Sequence, residues 1–184
     1  MTASRHAIVD HLPAMRAFAM SLTQNASLAD DIVQDAVVRA WSRFEQFNPE
    51  TNLRAWLFTI LRNAFYSHHR KHRREVEDVD GILAKRLAVK PAHYGRLMMR
   101  DVMAVFASLP VEQREVMLLI GAAGFSYEEA ATMCDVSLGT VKSRMSRGRR
   151  TLHARLGADH CAEVLVDPET LAVLSNQSNG RLSA

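Results

Sequence analysis

The sequence predicts an all-α chain of two small helical domains joined by a flexible linker. Three observations carry that prediction. Apolar residues recur at helical spacing along most of the chain, and no stretch alternates apolar and polar residues with period two. Around 77–95 the periodicity lapses into a segment that opens with acids and contains Gly81, Pro91 and Gly95. Beyond it, 126–152 reads as two short helices around a tight turn, the second of them basic. The expected layout is a first domain at 1–76, a linker at 77–95, a second domain at 96–156 and a C-terminal tail at 157–184.

The first domain opens with an amphipathic helix over 7–22, whose apolar residues include Leu12, Met15, Phe18, Ala19 and Leu22. A break at 25–27 precedes a second helix. Ile32, Val33, Ala36, Val37, Ala40, Trp41 and Phe44 share its broad inner face, and Asp31, Gln34, Asp35, Val38 and Ser42 share the outer one. Asp30 and Asp31 suit the helix N-terminus through its dipole. Asp35 lies further along, and an acidic strip around an exposed Val38 suits a partner as well as it suits solvent. Asn48-Pro49 disfavours helix and makes 47–52 a loop, with Thr51 or Asn52 free to cap the next element. Leu53, Trp56, Leu57, Ile60, Leu61 and Ala64 then form a strongly apolar helix that runs straight into a basic end, 62–74.

That end mixes five Arg or Lys residues with Phe65, Tyr66, Asn63 and Ser67. A helix dipole needs fewer cations than this, whereas single-stranded nucleic acid uses rings for base stacking and cations for phosphate. His68, His69 and His72 have one pair at helical spacing, yet no carboxylate or cysteine accompanies them, so no metal is expected.

The second domain carries an apolar stripe at Met98, Val102, Val105, Phe106 and Leu109, and Pro110 starts a new helix. Ser126 and Glu129 form a Ser-x-x-Glu capping box. Ala130, Ala131 and Met133 line the inner face of the helix it starts, 134–136 breaks that helix, and Ser137 caps the next. Val141, Met145, Gly148 and Leu152 follow at spacings of four, three and four, one stripe of a helix, and Lys142, Ser143, Ser146, Arg147 and Arg150 fall elsewhere on its surface. Five Lys or Arg occur within 142–150 with no acid among them. An ordinary solvated face intersperses both signs, so this is the pattern of a helix-turn-helix whose second helix enters the DNA major groove.

Composition bounds the alternatives. At 184 residues the chain holds one large or two small domains, and 48% apolar with 23% charged residues allows a packed core. The net charge is only +3, but the cations concentrate at 62–74 and 142–150, which suits a polyanion. Cys134 and Cys161 form no C-x-x-C pair. The N-terminus has no apolar leader, and the longest apolar run, 116–125, is too short to cross a membrane. A soluble, cytoplasmic protein without a membrane segment is expected. No catalytic triad, phosphate loop or converging metal spacing indicates an enzyme, and no cofactor is expected.

Taken together, LADDIVQDAVVRAW (28–41), NLRAWLFTILRNAFYSHHRKHRR (52–74) and LPVEQREVMLLIGAAGFSYEEAATMCDVSLGTVKSRMSRGRRTL (109–152) resemble the bacterial RNA polymerase sigma factors of the extracytoplasmic-function type. The likeness is to their alphaproteobacterial general-stress group and covers roughly residues 5–156. It implies that the outer face of the second helix, with Asp31, Gln34, Asp35 and Val38, docks on the polymerase core. It implies that the 47–52 loop (Phe47, Asn48, Asn52), with Asn63, holds an extruded base of the promoter −10 element. The basic stretch from Arg62 onward, including Tyr66, Arg70, Lys71, Arg73 and Arg74, would follow the melted strand. The helix-turn-helix would read the −35 element. Thr140, Ser143, Arg144 and Arg147 are candidates for base edges, and Lys142, Arg149 and Arg150 complete its DNA face. An acid, Asp135, stands where this turn usually has Gly; it tolerates the left-handed conformation. The partners implied are RNA polymerase core, promoter DNA and an anti-sigma factor.

Other readings compete. A sigma-like decoy that sequesters an anti-sigma factor without binding DNA would share these motifs, but is expected to carry a receiver domain. A free-standing helix-turn-helix repressor would leave 28–74 without a task.

Overall fold

The computed structural model describes residues 5–77 and 102–156, with side chains of the first span as far as residue 71. The expected tail and, beyond the last residue of the third helix, the expected linker lie outside the described residues. Every regular element among the described residues is helical, as the periodicity predicts.

The expected first helix is divided. A 3₁₀ segment, Arg5–His11, leads into α1, Leu12–Thr23, with Pro13 in the first turn of α1. Pro13 has no N–H to continue the preceding ladder, which favours a helix beginning there. Gln24 ends α1 in the left-handed region (φ 55°), its N–H donating to Met20 O at 2.8 Å. The Asn25 side chain then accepts from the Leu28 N–H at 3.1 Å and caps α2, Ala26–Ser42. A 3₁₀ turn, Phe44–Gln46, and the 47–52 loop lead to α3, Leu53–Glu77.

Helices α1, α2 and α3 pack on one another. Ala29, Ala36 and Ala40, all fully buried, let α2 lie close to both neighbours, while Phe18, Leu22, Ile32, Leu57 and Leu61 fill the space between. Trp41 departs from the expected inner face and stays 45% exposed. It sits at the edge of the stripe, with the Arg5 guanidinium 6.0 Å from its ring centroid and His6 edge-on at 6.3 Å.

The second half begins with a short helix, α4, at 102–107. Val102 and Leu109 are buried. Pro110 stands just before α5, Val111–Met117, rather than in its first turn, a shift of one residue. One turn of π-helix, Leu118–Ala122, follows, and Gly124 takes φ 71°, a conformation that favours glycine. Then come α6, Tyr127–Cys134, and α7, Leu138–Leu156. The stripe Val141, Met145, Gly148 and Leu152 is buried, as its spacing predicts. At Gly148 a Cβ would run into the Met117 sulfur, so a bare backbone is what lets α7 cross α5 this closely.

The two halves touch, which the expectation of two linked domains did not include. Phe58 of α3 meets Phe18 edge-on at 5.2 Å on one side and Phe125, just before α6, at 5.3 Å on the other. The Arg54 guanidinium lies 5.5 Å from the Phe58 centroid and 5.2 Å from that of Phe125, within cation–π range of both.

Two consequences are measurable. Gly148→Val should destabilise the chain by about 1–3 kcal/mol through overpacking against Met117, read as a lower urea midpoint with unchanged slope. His11 is half-buried, and burial first, then the Arg54 charge, hold its pKa below the ordinary 6.5. The unfolded chain therefore takes up this proton before the folded one. The stability His11 contributes is complete above 6.5 and is lost as pH falls from there through its lower folded pKa. Thermal midpoints measured between about pH 7.5 and about 5.5 should fall on acidification, and fall less steeply in His11→Gln.

Candidate polymerase and nucleic-acid surfaces

The helix-turn-helix is built as its sequence prescribes. Ser126 Oγ accepts from the Glu129 N–H at 3.0 Å, and Glu129 Oε2 accepts from the Ser126 N–H at 2.8 Å, which satisfies two N-terminal donors of α6. Asp135 adopts φ 53° and ψ 49°, and the N–H groups of Asp135 and Val136 return to Thr132 O and Ala131 O. Ser137 Oγ accepts from the Thr140 N–H at 3.2 Å and starts α7.

With the apolar stripe of α7 buried, Lys142, Ser146, Arg147, Arg149 and Arg150 are exposed. Thr140, Ser143 and Arg144 are half-buried. The Thr140 hydroxyl is engaged with Ser137 Oγ at 2.9 Å, and Ser143 Oγ donates to Thr140 O at 2.9 Å. Local bonds thus already hold both hydroxyls, and the long cations make up most of the outward face.

On the first half, Asp31, Gln34 and the 60%-exposed Val38 line an open groove between α2 and α3. Asp35 is less free than its spacing suggests. It pairs with Arg39 at 2.7 Å and lies 3.6 Å from His68 Nε2. Lys71 and Ser67 complete the α3 wall. The strip that reads as acidic along α2 is therefore partly balanced by Arg39 on the same helix, with Lys71 on the facing wall of the groove. Among the described residues no group of three or more His, Cys, Asp or Glu could hold a metal ion.

The 47–52 loop is fixed by its own asparagines. Asn48 Oδ1 accepts from the Glu50 N–H at 3.0 Å, and Asn48 O accepts from Thr51 Oγ1 at 2.7 Å. Asn52 Oδ1 accepts from the Arg54 N–H at 3.0 Å and caps α3. Phe47 is only 6% exposed. Its ring packs at 5.9 Å from Phe44 and 5.2 Å from Trp56, beneath the loop rather than on it. Asn63, Arg70 and Lys71 are exposed along α3. Arg73 and Arg74 continue that helix, with side chains outside the described residues.

Arg62 and Tyr66 depart from the expectation for the basic stretch, because both turn toward the second half. Arg62 Nε donates to Glu115 Oε1 at 2.6 Å and its Nη2 to Cys134 O at 3.1 Å. Tyr66 OH donates to Glu115 Oε2 at 3.0 Å, and the Arg62 guanidinium lies 4.7 Å from the Tyr66 ring centroid. Glu115 is fully buried, the only buried polar or charged residue among those described. Burial pushes its carboxyl above the usual carboxylate range, against the opposing pull of Arg62 and Tyr66. Burial first and then the Glu115 charge raise Tyr66. The same two causes push the Cys134 thiol up to about 12, which leaves it protonated and unreactive. Sequence reasoning missed Glu115, Arg54 and Phe125. One signal was there: Glu115 lies four residues after Val111 and four before Leu119, a charge on an apolar stripe.

Residues 7–75 match the family described as sigma-70 region 2, and residues 99–152 match sigma-70, region 4. The chain is 46% identical over 170 residues to the ECF RNA polymerase sigma factor EcfG of Rhodopseudomonas palustris, covering 92% of this chain and 94% of that one. It is similar in structure to the sigma factor RpoE of Bartonella quintana, solved in complex with the anti-sigma factor NepR. That match has a TM-score of 0.76 and 47% identity, over 84% of this chain and 96% of the other. A third likeness is to CnrH in complex with the cytosolic domain of CnrY, with a TM-score of 0.60 and 30% identity, over 84% and 87% of the two chains. The chain belongs to the sigma-70 family of bacterial RNA polymerase sigma factors, in its extracytoplasmic-function group.

Proposed function

We propose that the chain directs RNA polymerase core to a set of stress-response promoters and starts their transcription, as a cytoplasmic specificity subunit without catalysis of its own. One observation carries this reading. A helix-turn-helix with an exposed cationic face, Lys142, Arg147, Arg149 and Arg150, shares a chain with a basic, polar helix end on α3 and a groove along α2. A repressor needs only the first of these. The name of the EcfG relative and the RpoE–NepR complex support the stress assignment and an anti-sigma partner.

The division of labour follows the surfaces. Asp31, Gln34, Asp35 and Val38 form the polymerase-docking side of the α2 groove, within a first domain at 1–76. Asn48, Asn52 and Asn63 surround the base-holding loop, and Phe47 supports that loop from below. Arg70, Lys71, Arg73 and Arg74 track the melted −10 strand, joined by Tyr66 once it is free. In the second domain, 96–156, Arg144 and Arg147 reach −35 base edges beside Thr140 and Ser143. Lys142, Arg149 and Arg150 meet phosphate, because phosphate contacts position the protein and base contacts specify.

Run-off transcription from core polymerase with and without the protein separates this reading from the decoy and the repressor, neither of which would start a transcript. Within it, Arg147→Ala should relax one −35 position by about 1–3 kcal/mol of discrimination. Arg150→Ala should weaken all sequences alike and shallow the salt slope by about one unit. Equal, negligible shifts in a −35 library would move readout off α7. Asn63→Ala should reduce permanganate reactivity of a −10 thymine while core binding persists, since a pocket for the flipped base offsets part of the unstacking cost. Unchanged reactivity would count against the pocket. Phe47→Ala is a poorer probe, because it also removes a buried ring.

A further inference from the structure

Two groups near the start of the basic end of α3 are already engaged inside the protein. Arg62 and Tyr66 stand one helical turn apart on one face, and both point at the carboxylate of Glu115, at 2.6 Å and 3.0 Å. A second nitrogen of Arg62 reaches Cys134 O, at the last residue of α6, at 3.1 Å. A guanidinium that brackets two oxygens in this way uses the same donors with which arginine grips a phosphate. We propose that Glu115 is an internal stand-in for promoter phosphate: a latch that holds the free chain closed and withholds Arg62 and Tyr66 from DNA until the halves part. No second protein is needed to set it. This rests on the reading of α3 as the element that meets the melted strand.

The placement of Glu115 argues for a switch over a simple staple. A buried ion pair contributes little more to stability than apolar residues of the same volume, and its best-attested use is to specify one of two arrangements. Here the carboxylate has two acceptable states. It is paired with Arg62 in the dry seam, or it is hydrated once the seam opens. An intermediate gap would leave a charge desolvated and unpaired, which penalises partial opening. Arg62 for its part loses nothing in kind when it exchanges a carboxylate for a phosphate. The rest of the seam is apolar: Phe58 packs against Phe125 with Arg54 beside both rings, and α1 lies against α5, within one buried cluster shared by the two halves, so opening exposes apolar surface that a partner must cover.

The test compares full-length wild type with Glu115→Gln by small-angle scattering and by anisotropy with a labelled single-stranded DNA of mixed sequence across a salt series. The latch predicts a larger radius of gyration at unchanged helical circular dichroism. It predicts DNA binding tighter by at least about fivefold, the low end of ordinary coupling between sites. It also predicts a salt slope steeper by about 0.7, as one released cation requires on a single strand. An unchanged radius overturns the latch, and so does a larger radius with unchanged affinity and slope. If Glu115→Gln does not fold, Tyr66→Phe keeps the charges and removes one bond, and an unchanged radius there overturns the proposal equally. Run-off transcription by the wild type reports separately on the sigma-factor reading, so the failure of either idea is recognisable by itself.

Discussion

A carboxylate sealed away from water sets the terms on which the two halves meet. Glu115 has no exposed surface, and its neighbours along α5 and the following turn, Val116, Met117 and Leu119, are apolar and buried. Among the described residues the second half gives it no ion pair. Arg62, 16% exposed at its side chain, supplies the charge, and Tyr66 supplies a hydroxyl, both from α3. Breaking such a pair from one side costs about 3–5 kcal/mol, because the remaining charge stays buried. Docking of α3 on the second half is therefore set by charge as well as by the aromatic seam around Phe58. The contact with Cys134 O adds a donor at the C-terminal end of α6, where carbonyls lack helical partners.

The same seven-residue helix, α5, serves both surfaces. Glu115 and Met117 lie two positions apart, about 200° around the helix axis, so the carboxylate faces α3 while the methionine faces Gly148 of α7. Helix α7 is held by its buried stripe, and most of its cations are left to solvent. The 47–52 loop of the first half is organised differently. There the loop geometry comes from asparagine side chains bonded to nearby backbone N–H groups, with an aromatic cluster beneath it. On the proposed reading, a loop fixed by its own hydrogen bonds holds the base, and the exposed cations Arg70 and Lys71 follow the strand.

Much of this was legible in the sequence, and the reason is local. The capping box at Ser126, the stripe through Gly148 and the break at Asn25 are decided by residues within a turn or two of each other. Pro13 was equally visible, yet the periodicity of 7–22 masked its effect. What could not be read were partners distant in the chain. Arg62 reads as one more cation of a basic stretch, and only the position of Glu115, 53 residues away, gives it another task. The α2 strip reads as acidic because Arg39 was not weighed against it and the answering groups His68 and Lys71 lie on a different helix. Phe47 enters the base-holding loop through the family resemblance, and the enclosure of its ring by Phe44 and by Trp56, nine residues on, is set by packing.

The claim on which the rest depends is that Arg62 and Glu115 are energetically coupled across the seam. A double-mutant cycle with Arg62→Met and Glu115→Gln, followed by urea unfolding of the full chain, measures that coupling. The double variant should be more stable than the sum of the single losses predicts, by about 1–3 kcal/mol, since removing both charges leaves neither one buried alone. Additivity to within about 0.5 kcal/mol would mean that the two residues are merely neighbours, and that the halves are held by something else.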